Sequence, residues 1–233
     1  ELHFTPTMSS LKNLLQENKD PEKIFVTGNT AIDALKTTVK EEYDSPVLQW
    51  AGDSRIMLLT AHRRENQGEP LRRIFTAVNK ITEKYPDVRV IYPCHMNPAV
   101  RGMAHEIFDG NGKVRLIEPL EVTDFHNLIK KSYLVLTDSG GIQEEGPSLG
   151  KPVLVVRETT ERPEGVEAGT LKLVGTSTER IVKELSRLLD VKEEYERMST
   201  AENPYGDGNA SKRIINAILR YFQNREIGID IPA

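Results

Sequence analysis

Short runs of apolar, often β-branched residues alternate along the chain with longer stretches in which apolar residues recur every three or four positions. The short runs predict strands and the longer stretches predict amphipathic helices, because each spacing places apolar side chains where they can be buried. The predicted strands cover residues 23–26, 55–59, 88–92, 114–117, 133–136, 152–156 and 170–174. The predicted helices cover residues 31–39, 71–84, 98–107, 124–131, 142–149, 178–197 and 210–223.

The order of these elements predicts the fold class. Strands that alternate with helices are typical of βαβ units and of a mostly parallel sheet. Most of the predicted strands are apolar throughout, which favours a sheet covered by helices on both faces. We therefore expect a Rossmann-like, doubly wound α/β domain, with polar loops around residues 44–46, 52–53 and 203–208.

Composition limits the classes of function. The chain has 233 residues, a net charge of −4 and no basic stripe, so nothing indicates a nucleic-acid partner. Its single cysteine, Cys94, excludes an internal disulfide and favours a reducing cytoplasm, and no apolar run approaches the ~20 residues that cross a membrane. The chain begins at Glu1 with neither an initiator methionine nor a signal peptide, so we expect it to be part of a longer protein.

Ligands of doubly wound folds bind beyond the carboxyl ends of the strands, so the residues that follow each predicted strand are the candidates for a site. The clearest pattern is residues 138–141 (Asp-Ser-Gly-Gly), between a strand and a helix. Gly140 and Gly141 let the backbone approach a ligand closely, Ser139 adds a hydroxyl donor, and the first N–H groups of the helix point to the same place. Together these features predict a phosphate cradle.

Glu145 follows Gly141 by four residues and therefore projects from about the same side of the helix. A carboxylate in that place can accept two hydrogen bonds from a ribose diol. The alternative is a structural role, in which Ser139 caps the helix and the acidic residues favour its dipole. The two roles are compatible, so the alternative does not exclude a phosphate site.

Histidine and arginine side chains crowd other strand ends. His62 and Arg63 follow the strand at residues 55–59, and both side-chain types can hydrogen-bond a phosphate, with a solvated loop of ion pairs as the alternative. Arg162 can reach a diphosphate or a sugar, or it can belong to an ion-paired loop. His95 also follows a strand, and a capping or loop histidine explains it equally well.

The other residues near strand ends are weaker candidates for a functional site. Phe125 can stack on a base but, taken alone, fits a core position better. Nothing marks the thiol of Cys94 as acidified, so it is a weak candidate for a nucleophile. The spacing of Cys94, His62 and His95 does not match a metal site. The sequence therefore predicts no metal.

Taken in order, several motifs resemble those of the non-hydrolysing UDP-N-acetylglucosamine 2-epimerases. The strongest are residues 138–145 (Asp-Ser-Gly-Gly-Ile-Gln-Glu-Glu), 149–154 (Leu-Gly-Lys-Pro-Val-Leu) and 160–164 (Thr-Glu-Arg-Pro-Glu). The others are residues 26–30 (Val-Thr-Gly-Asn-Thr), 62–66 (His-Arg-Arg-Glu-Asn), 93–98 (Pro-Cys-His-Met-Asn-Pro) and 204–208 (Pro-Tyr-Gly-Asp-Gly). The match covers almost the whole chain, so the joint pattern is specific.

The resemblance implies a fold and a set of ligand contacts. The family is similar to the GT-B type of glycosyltransferase, with two Rossmann-like domains, and this chain would be the carboxyl-terminal, nucleotide-binding one. The residues implied to bind UDP are His62, Leu120, Phe125, Ser139, Gly140, Gly141, Glu145 and Arg162. In that set Glu145 contacts the ribose, Phe125 and the backbone near Leu120 frame the uracil, and the others approach the phosphates. Arg63 and His95 match positions at which many bacterial members bind a second UDP-GlcNAc as an activator.

The reaction that the resemblance implies interconverts UDP-GlcNAc and UDP-ManNAc, an isomerisation used in cell-surface polysaccharide biosynthesis. UDP is eliminated from C1 and added back with C2 inverted, without a metal, a nicotinamide or another cofactor. The C2–H group is poorly acidic, so a base must act while the leaving diphosphate is held by charge and N–H dipoles. His62 is a candidate catalytic residue, but the carboxylates thought to move the proton belong to a preceding domain that this sequence does not contain.

The same resemblance implies a division of the chain. Residues 1–45 would lead in from the preceding domain, residues 46–200 would form the UDP-binding domain, and residues 201–233 would form a loop and helix that return toward the preceding domain. We expect this polypeptide alone to bind UDP weakly without epimerising its sugar, and the full-length protein to be a cytoplasmic homodimer.

Three alternatives stay open. The carboxyl-terminal domain of a UDP-sugar glycosyltransferase shares the fold and a glycine-rich acidic loop, although residues 62–66 and 160–164 favour the epimerase. A hydrolysing epimerase would release free ManNAc. A UDP-sugar sensor would bind the nucleotide without any reaction.

Overall fold

The computed structural model describes residues 1–223, which form alternating strands and helices. The strands are β1 (His3–Thr5), β2 (Ile24–Val26), β3 (Arg55–Thr60), β4 (Val88–Pro93), β5 (Val114–Ile117), β6 (Leu134–Thr137), β7 (Val153–Val155) and β8 (Leu171–Leu173). The helices are α1 (Met8–Gln16), α2 (Thr30–Thr38), α3 (Pro46–Ala51), α4 (Glu69–Lys84), α5 (Pro98–Phe108), α6 (Val122–Lys131), α7 (Ile142–Ser148), α8 (Pro163–Glu167), α9 (Thr178–Asp190), α10 (Lys192–Ser199) and α11 (Ala210–Gln223). Single 3₁₀ turns occupy Pro21–Lys23 and Arg64–Asn66.

The described residues divide into two compact units, one of residues 37–203 and one of residues 1–36 together with residues 204–223. The larger unit contains a six-stranded parallel sheet in the order β5-β4-β3-β6-β7-β8. From β3 the sheet continues through β4 to the edge strand β5. On the other side of β3 it continues through β6 and β7 to the edge strand β8. This order is the topological switch of a doubly wound fold, so the predicted Rossmann-like class is confirmed.

Helices cover both faces of this sheet. On β3, Met57 and Leu59 face the core layer formed with α4, α5 and α9, whereas Ile56 and Leu58 face the layer formed with α3 and α6. All four side chains are buried, because consecutive residues of a strand point to opposite faces. The prediction from continuous apolar runs is thus confirmed for the central strands, while the edge strand β5 is only partly buried.

The smaller unit contains the parallel pair β1–β2, α1 and α11. Two of the sequence motifs meet within it at Gly28 and Gly206. Both glycines have positive φ angles, +87° and +135°, and a methyl group on Gly28 would lie 3.2 Å from the Cα of Gly206. The N–H of Asn29 donates to the carbonyl of Tyr205 at 2.8 Å. The close approach of two backbones explains why glycine occupies both positions.

The structure adds one helix to those predicted and divides another helical stretch in two. The polar residues predicted as loops around residues 44–46 and 52–53 lie on either side of α3, a helix that was not predicted. The hydroxyl of Ser45 accepts the N–H of Leu48 at its start, and Val47 and Ala51 are buried. The single helix predicted at residues 178–197 is two helices, because Val191 adopts an extended conformation between α9 and α10. β-branched residues favour extended backbone, which is consistent with the break.

Candidate functional site

The carboxyl ends of β3 and β6 lie side by side at the topological switch. Thr60 pairs with Thr137 in the sheet, and their buried hydroxyl groups are 2.5 Å apart. Residues 61–66, here called the arginine loop, follow β3, and residues 138–141, here called the glycine turn, follow β6. The structure therefore places together two segments that the sequence singled out separately.

Asp138 joins the two segments. Its side chain is fully buried, and its Oδ2 accepts the N–H groups of His62 and Arg63 at 2.9 and 2.8 Å. The same oxygen accepts the side-chain amide of Asn66 at 3.0 Å, and that amide also donates to the carbonyl of Val156. The carboxylate of the glycine turn is thus bound to the arginine loop, a role that the sequence analysis did not assign.

Ser139 does not cap the following helix. The residue that precedes the first turn of α7 is Gly141, and within the described chain no side chain caps that helix. The backbone N–H of Ser139 donates to the hydroxyl of Thr137 at 2.9 Å, which fixes the start of the glycine turn to the end of β6. The capping role considered for Ser139 is therefore wrong, and its hydroxyl is not committed to α7.

The surface above Gly140 is crowded with charge. A methyl group on Gly140 would lie 2.5 Å from Oε1 of Glu161 and 3.4 Å from Nη2 of Arg63. Glu161 accepts from Arg63 at 3.1 Å and also pairs with Arg157, which itself donates to Glu65 at 2.7 Å. Burial alone would raise the pKa of Glu161, but the hydrogen bonds from its own backbone and from Arg157, with the charge of Arg63, hold the pKa below its usual value. A side chain at position 140 would displace the carboxylate of Glu161 from this arrangement.

Arg162 lies in the same network. Its Nε donates to Oε1 of Glu144 at 2.5 Å, and Glu144 is 2% exposed. The N–H of Arg162 donates to the hydroxyl of Thr160, which in turn donates to the side chain of Gln143. The ion pair considered as an alternative for Arg162 is present, and it fastens the loop before α8 to α7.

Glu145 projects beside the glycine turn, as the four-residue spacing indicated. Its Oε1 lies 3.5 Å from the position that a methyl group on Gly141 would take. Its Oε2 is 3.6 Å from Nε2 of the buried His126, whose Nδ1 is 2.8 Å from the hydroxyl of Thr38. The buried ring of His126 therefore packs beside the carboxylate of Glu145. The sequence did not indicate this contact, because His126 lies within α6 and not at the end of a strand.

Two histidines that follow neighbouring strands are stacked. The rings of His62 and His95 have centroids 4.7 Å apart and an interplanar angle of 17°. Burial lowers the pKa of His62, and His95 and Arg63 lower it further, whereas the charge of Asp138 opposes them. The ring of His95 also accepts the N–H of Asn97 at 3.1 Å. Because their rings are stacked, the two candidate histidines form one cluster.

Cys94, Phe125 and Leu120 complete the set of sequence candidates. Burial raises the pKa of the Cys94 thiol, which argues against a nucleophile and agrees with its weak prediction. Phe125 and Leu120 are partly buried and pack against the core layer that contains α3 and α6. Both therefore have an apolar support on one side and remain partly accessible.

In residues 1–223, no group of three histidine, cysteine, aspartate or glutamate side chains is arranged to hold a metal ion. Over the same residues, no helix has both the length and the apolar character needed to span a membrane.

Comparison with known proteins decides the family. The family model described as UDP-N-acetylglucosamine 2-epimerase matches residues 1–219. This chain belongs to that family. The match includes both units and every motif of the site.

Individual epimerases are similar to this chain over most of its length. The UDP-N-acetylglucosamine 2-epimerase of Bacillus subtilis (strain 168) is 58% identical over 226 residues, covering 97% of this chain and 60% of that protein. A solved S. aureus structure, described as a complex with UDP, has a TM-score of 0.92 at 52% identity and covers 95% of this chain and 61% of its own. The structure of UDP-GlcNAc 2-epimerase from Neisseria meningitidis bound to UDP-GlcNAc has a TM-score of 0.87 at 45% identity, covering 94% and 61%.

The chain thus spans about 60% of the length of the epimerases it matches. Its fold is that of the corresponding part of these GT-B-like enzymes, as the sequence predicted. A wall teichoic acid polymerase, TagF, is also similar, with a TM-score of 0.56 at 14% identity. That likeness shows the fold alone, so the comparisons support the epimerase and not a glycosyltransferase.

Proposed function

We propose that this chain supplies the UDP-binding part of a UDP-GlcNAc 2-epimerase, an isomerase that interconverts UDP-GlcNAc and UDP-ManNAc. The observation that supports it most is that the glycine turn, the arginine loop and Glu145 lie together beyond β3 and β6, with Arg162 paired to Glu144 of α7, in a chain of the epimerase family. Ligands of doubly wound sheets bind at this edge. The assignment of individual residues to parts of UDP is likewise our proposal.

The diphosphate would lie over the glycine turn. Ser139 offers a hydroxyl donor there, and Gly140 and Gly141 permit a close approach of the backbone. A bound diphosphate would meet the carboxylate of Glu161, which lies at Gly140 in the structure described here. We therefore expect Glu161 to turn away when UDP binds, which would release Arg63 from its ion pair with that carboxylate.

The nucleoside would lie toward α6 and α7. Glu145 is placed to accept hydrogen bonds from the ribose diol, with His126 behind it. Phe125 and the backbone near Leu120 would frame the uracil. Each of these groups contacts only the leaving UDP, so its contribution to the reaction is to bind and orient the nucleotide as the C1–O bond breaks.

Arg63 and His95 are proposed to contact a second UDP-GlcNAc, the activator. Arg63 follows His62 in the chain, and His95 is stacked on it. A ligand on Arg63 and His95 would therefore contact the immediate neighbours of His62. This arrangement supports direct coupling between the activator and the diphosphate site.

The first test measures UDP binding by calorimetry. Removing a donor to the diphosphate in Ser139→Ala, or the ribose acceptor in Glu145→Ala, should weaken binding at least about tenfold, since a hydrogen bond to a charged group contributes about 1.5–3 kcal/mol. Glu106→Ala, a change on α5 that removes an exposed partner of Arg72, should leave binding unchanged.

The ligand 2′-deoxy-UDP sharpens this test. Glu145→Ala should lose less affinity for 2′-deoxy-UDP than for UDP, because one of the two ribose hydroxyls is already absent. An equal loss for both ligands would contradict the ribose assignment. A folded chain that binds no UDP would remove the proposed function of the site.

A second test concerns turnover. The resemblance assigns the base that moves the C2 proton to a region outside this chain, so we expect the isolated chain to bind UDP-GlcNAc without forming UDP-ManNAc. Products can be followed with labelled UDP-GlcNAc, with the Bacillus subtilis epimerase as a positive control. UDP-ManNAc formed at a comparable rate would refute the location of the base. Free ManNAc would indicate a hydrolysing enzyme, and transfer to an acceptor would indicate a glycosyltransferase.

A further inference from the structure

The two carboxylate oxygens of Asp138 have different surroundings. Oδ2 accepts three donors, the N–H groups of His62 and Arg63 and the amide of Asn66. Oδ1 is buried and has no hydrogen-bond partner among residues 1–223. A buried oxygen without a donor is costly, so a carboxylate at this position calls for a reason beyond the three hydrogen bonds.

Asparagine could make those same hydrogen bonds. Its carbonyl oxygen could take the place of Oδ2, and its amide group could take the place of Oδ1, where no donor is displaced. The geometry of the arginine loop therefore requires an acceptor at position 138 but not a negative charge. What the charge adds must be sought in its neighbours.

We propose that Asp138 is a positioning residue, which holds His62 and Arg63 beside the glycine turn and whose charge keeps His62 able to carry a proton toward the diphosphate. The proposal rests on the proposed function for the identity of the ligand. The hydrogen bonds of Asp138 to the arginine loop do not depend on that function.

The charges around His62 explain why the carboxylate matters. Burial lowers the pKa of His62, and so do the neighbouring groups His95 and Arg63, while Asp138 raises it. Without Asp138 every named influence would favour the neutral ring. A protonated His62 is the better donor to a diphosphate, so the charge of Asp138 favours the form that binds UDP.

This arrangement has a consequence for proton linkage. Because the pKa of His62 in the free chain lies below its ordinary value, and a bound diphosphate would raise it, UDP binding should take up a proton between those two values. Binding should therefore tighten as the pH falls toward the range in which His62 protonates. A purely structural clamp would not produce this uptake.

The test uses Asp138→Asn, which removes the charge and can keep the acceptor. In the free chain, NMR titration of the ring C–H signals, assigned with His62→Gln, should place the midpoint of His62 at a lower pH than in the wild type. The backbone amides of His62 and Arg63 should stay protected from hydrogen exchange. Asp190→Asn, which alters a carboxylate that accepts from Tyr85, is the matched control and should change neither signal.

The second arm measures UDP binding by calorimetry in two buffers of different ionisation enthalpy. In Asp138→Asn we expect affinity in the acidic range, where His62 of the wild type takes up its proton, to fall about tenfold, the size of one charge-assisted hydrogen bond, and proton uptake to decrease. An unchanged His62 midpoint would overturn the electrostatic part of the proposal. Unchanged UDP affinity would overturn the part that concerns the ligand.

A third variant covers the case in which Asp138→Asn does not fold. Asn66→Ala keeps the charge and removes one donor to Oδ2, so the His62 midpoint should stay in place while hydrogen exchange in the loop accelerates and UDP affinity falls. Unaltered exchange and affinity in Asn66→Ala would overturn the positioning role. If the wild type binds no UDP, the proposed function fails, while the titration and exchange measurements still decide what Asp138 does to His62.

Discussion

Gly146→Ala should lower the thermal unfolding midpoint of this chain by several degrees. Gly146 lies in α7 where that helix crosses β7, and a methyl group there would be 2.6 Å from Cγ2 of the fully buried Val153. Optimal carbon–carbon contacts are about 3.5–4.0 Å, and valine has few rotamers with which to yield. Overpacking of this kind costs about 1–3 kcal/mol, or about 2–4 °C per kcal/mol in a chain of this size.

Gly102→Ala is the matched control. Gly102 also lies inside a helix, α5, but a methyl group there would meet nothing within 4 Å in the described part of the chain. Alanine is the better helix former, so this change should raise stability by about 0.5–1 kcal/mol. The two substitutions are chemically identical and should shift the midpoint in opposite directions. A higher midpoint for Gly146→Ala would refute the packing argument.

A double variant locates the cause. In Gly146→Ala with Val153→Ala the clashing methyl is gone, so the combined loss of stability should be smaller than the sum of the single losses. Because α7 begins directly after the glycine turn, a shifted helix should also displace Gly141 and Glu145 and weaken UDP binding. UDP affinity should be less impaired in the double variant than in Gly146→Ala, although Val153→Ala itself costs stability by leaving a cavity.

The fold was predictable because its signals are local. Each strand of the large sheet is a short apolar run, and each flanking helix has an apolar stripe, so β3, β6 and the helices between them follow from patterns within about ten residues. The position of the glycine turn was also predictable, since Gly140 and Gly141 stand between an apolar run and a helical stretch. Local patterns failed at α3, where Ser45 and Pro46 resemble a loop but begin a helix.

The organisation of the site was less predictable because its contacts are distant in sequence. Asp138 binds the N–H of His62 from 76 residues away, and Arg63 pairs with Glu161 across 98 residues. The local sequence around Asp138 or Arg63 does not indicate which distant residue will be its hydrogen-bond or ion-pair partner. The strand-end rule identified His62 and Arg63 as candidates, but only the register of β3 against β6 shows that one carboxylate holds both.

Arg162→Ala should separate the stability of the site from its affinity for UDP. Arg162 donates to Glu144, a residue 2% exposed, so its loss removes a charge-assisted hydrogen bond from a buried carboxylate. We expect a loss of roughly 1–3 kcal/mol in the free energy of unfolding, at the lower end because Arg162 itself is partly exposed. UDP affinity should fall at least about tenfold, since a cation beside the diphosphate is removed.

Adding Glu144→Gln to Arg162→Ala distinguishes the two effects. A neutral glutamine at position 144 leaves no buried charge without a partner, so denaturant unfolding should show most of the stability restored. Calorimetry should show UDP binding as weak as in Arg162→Ala. Arg72→Ala, which breaks the exposed pair with Glu106, should cost no more than about 1 kcal/mol and leave binding intact. Recovery of UDP affinity in the double variant would mean that Arg162 acts only through Glu144, because a direct contact with the diphosphate cannot be restored by a neutral glutamine.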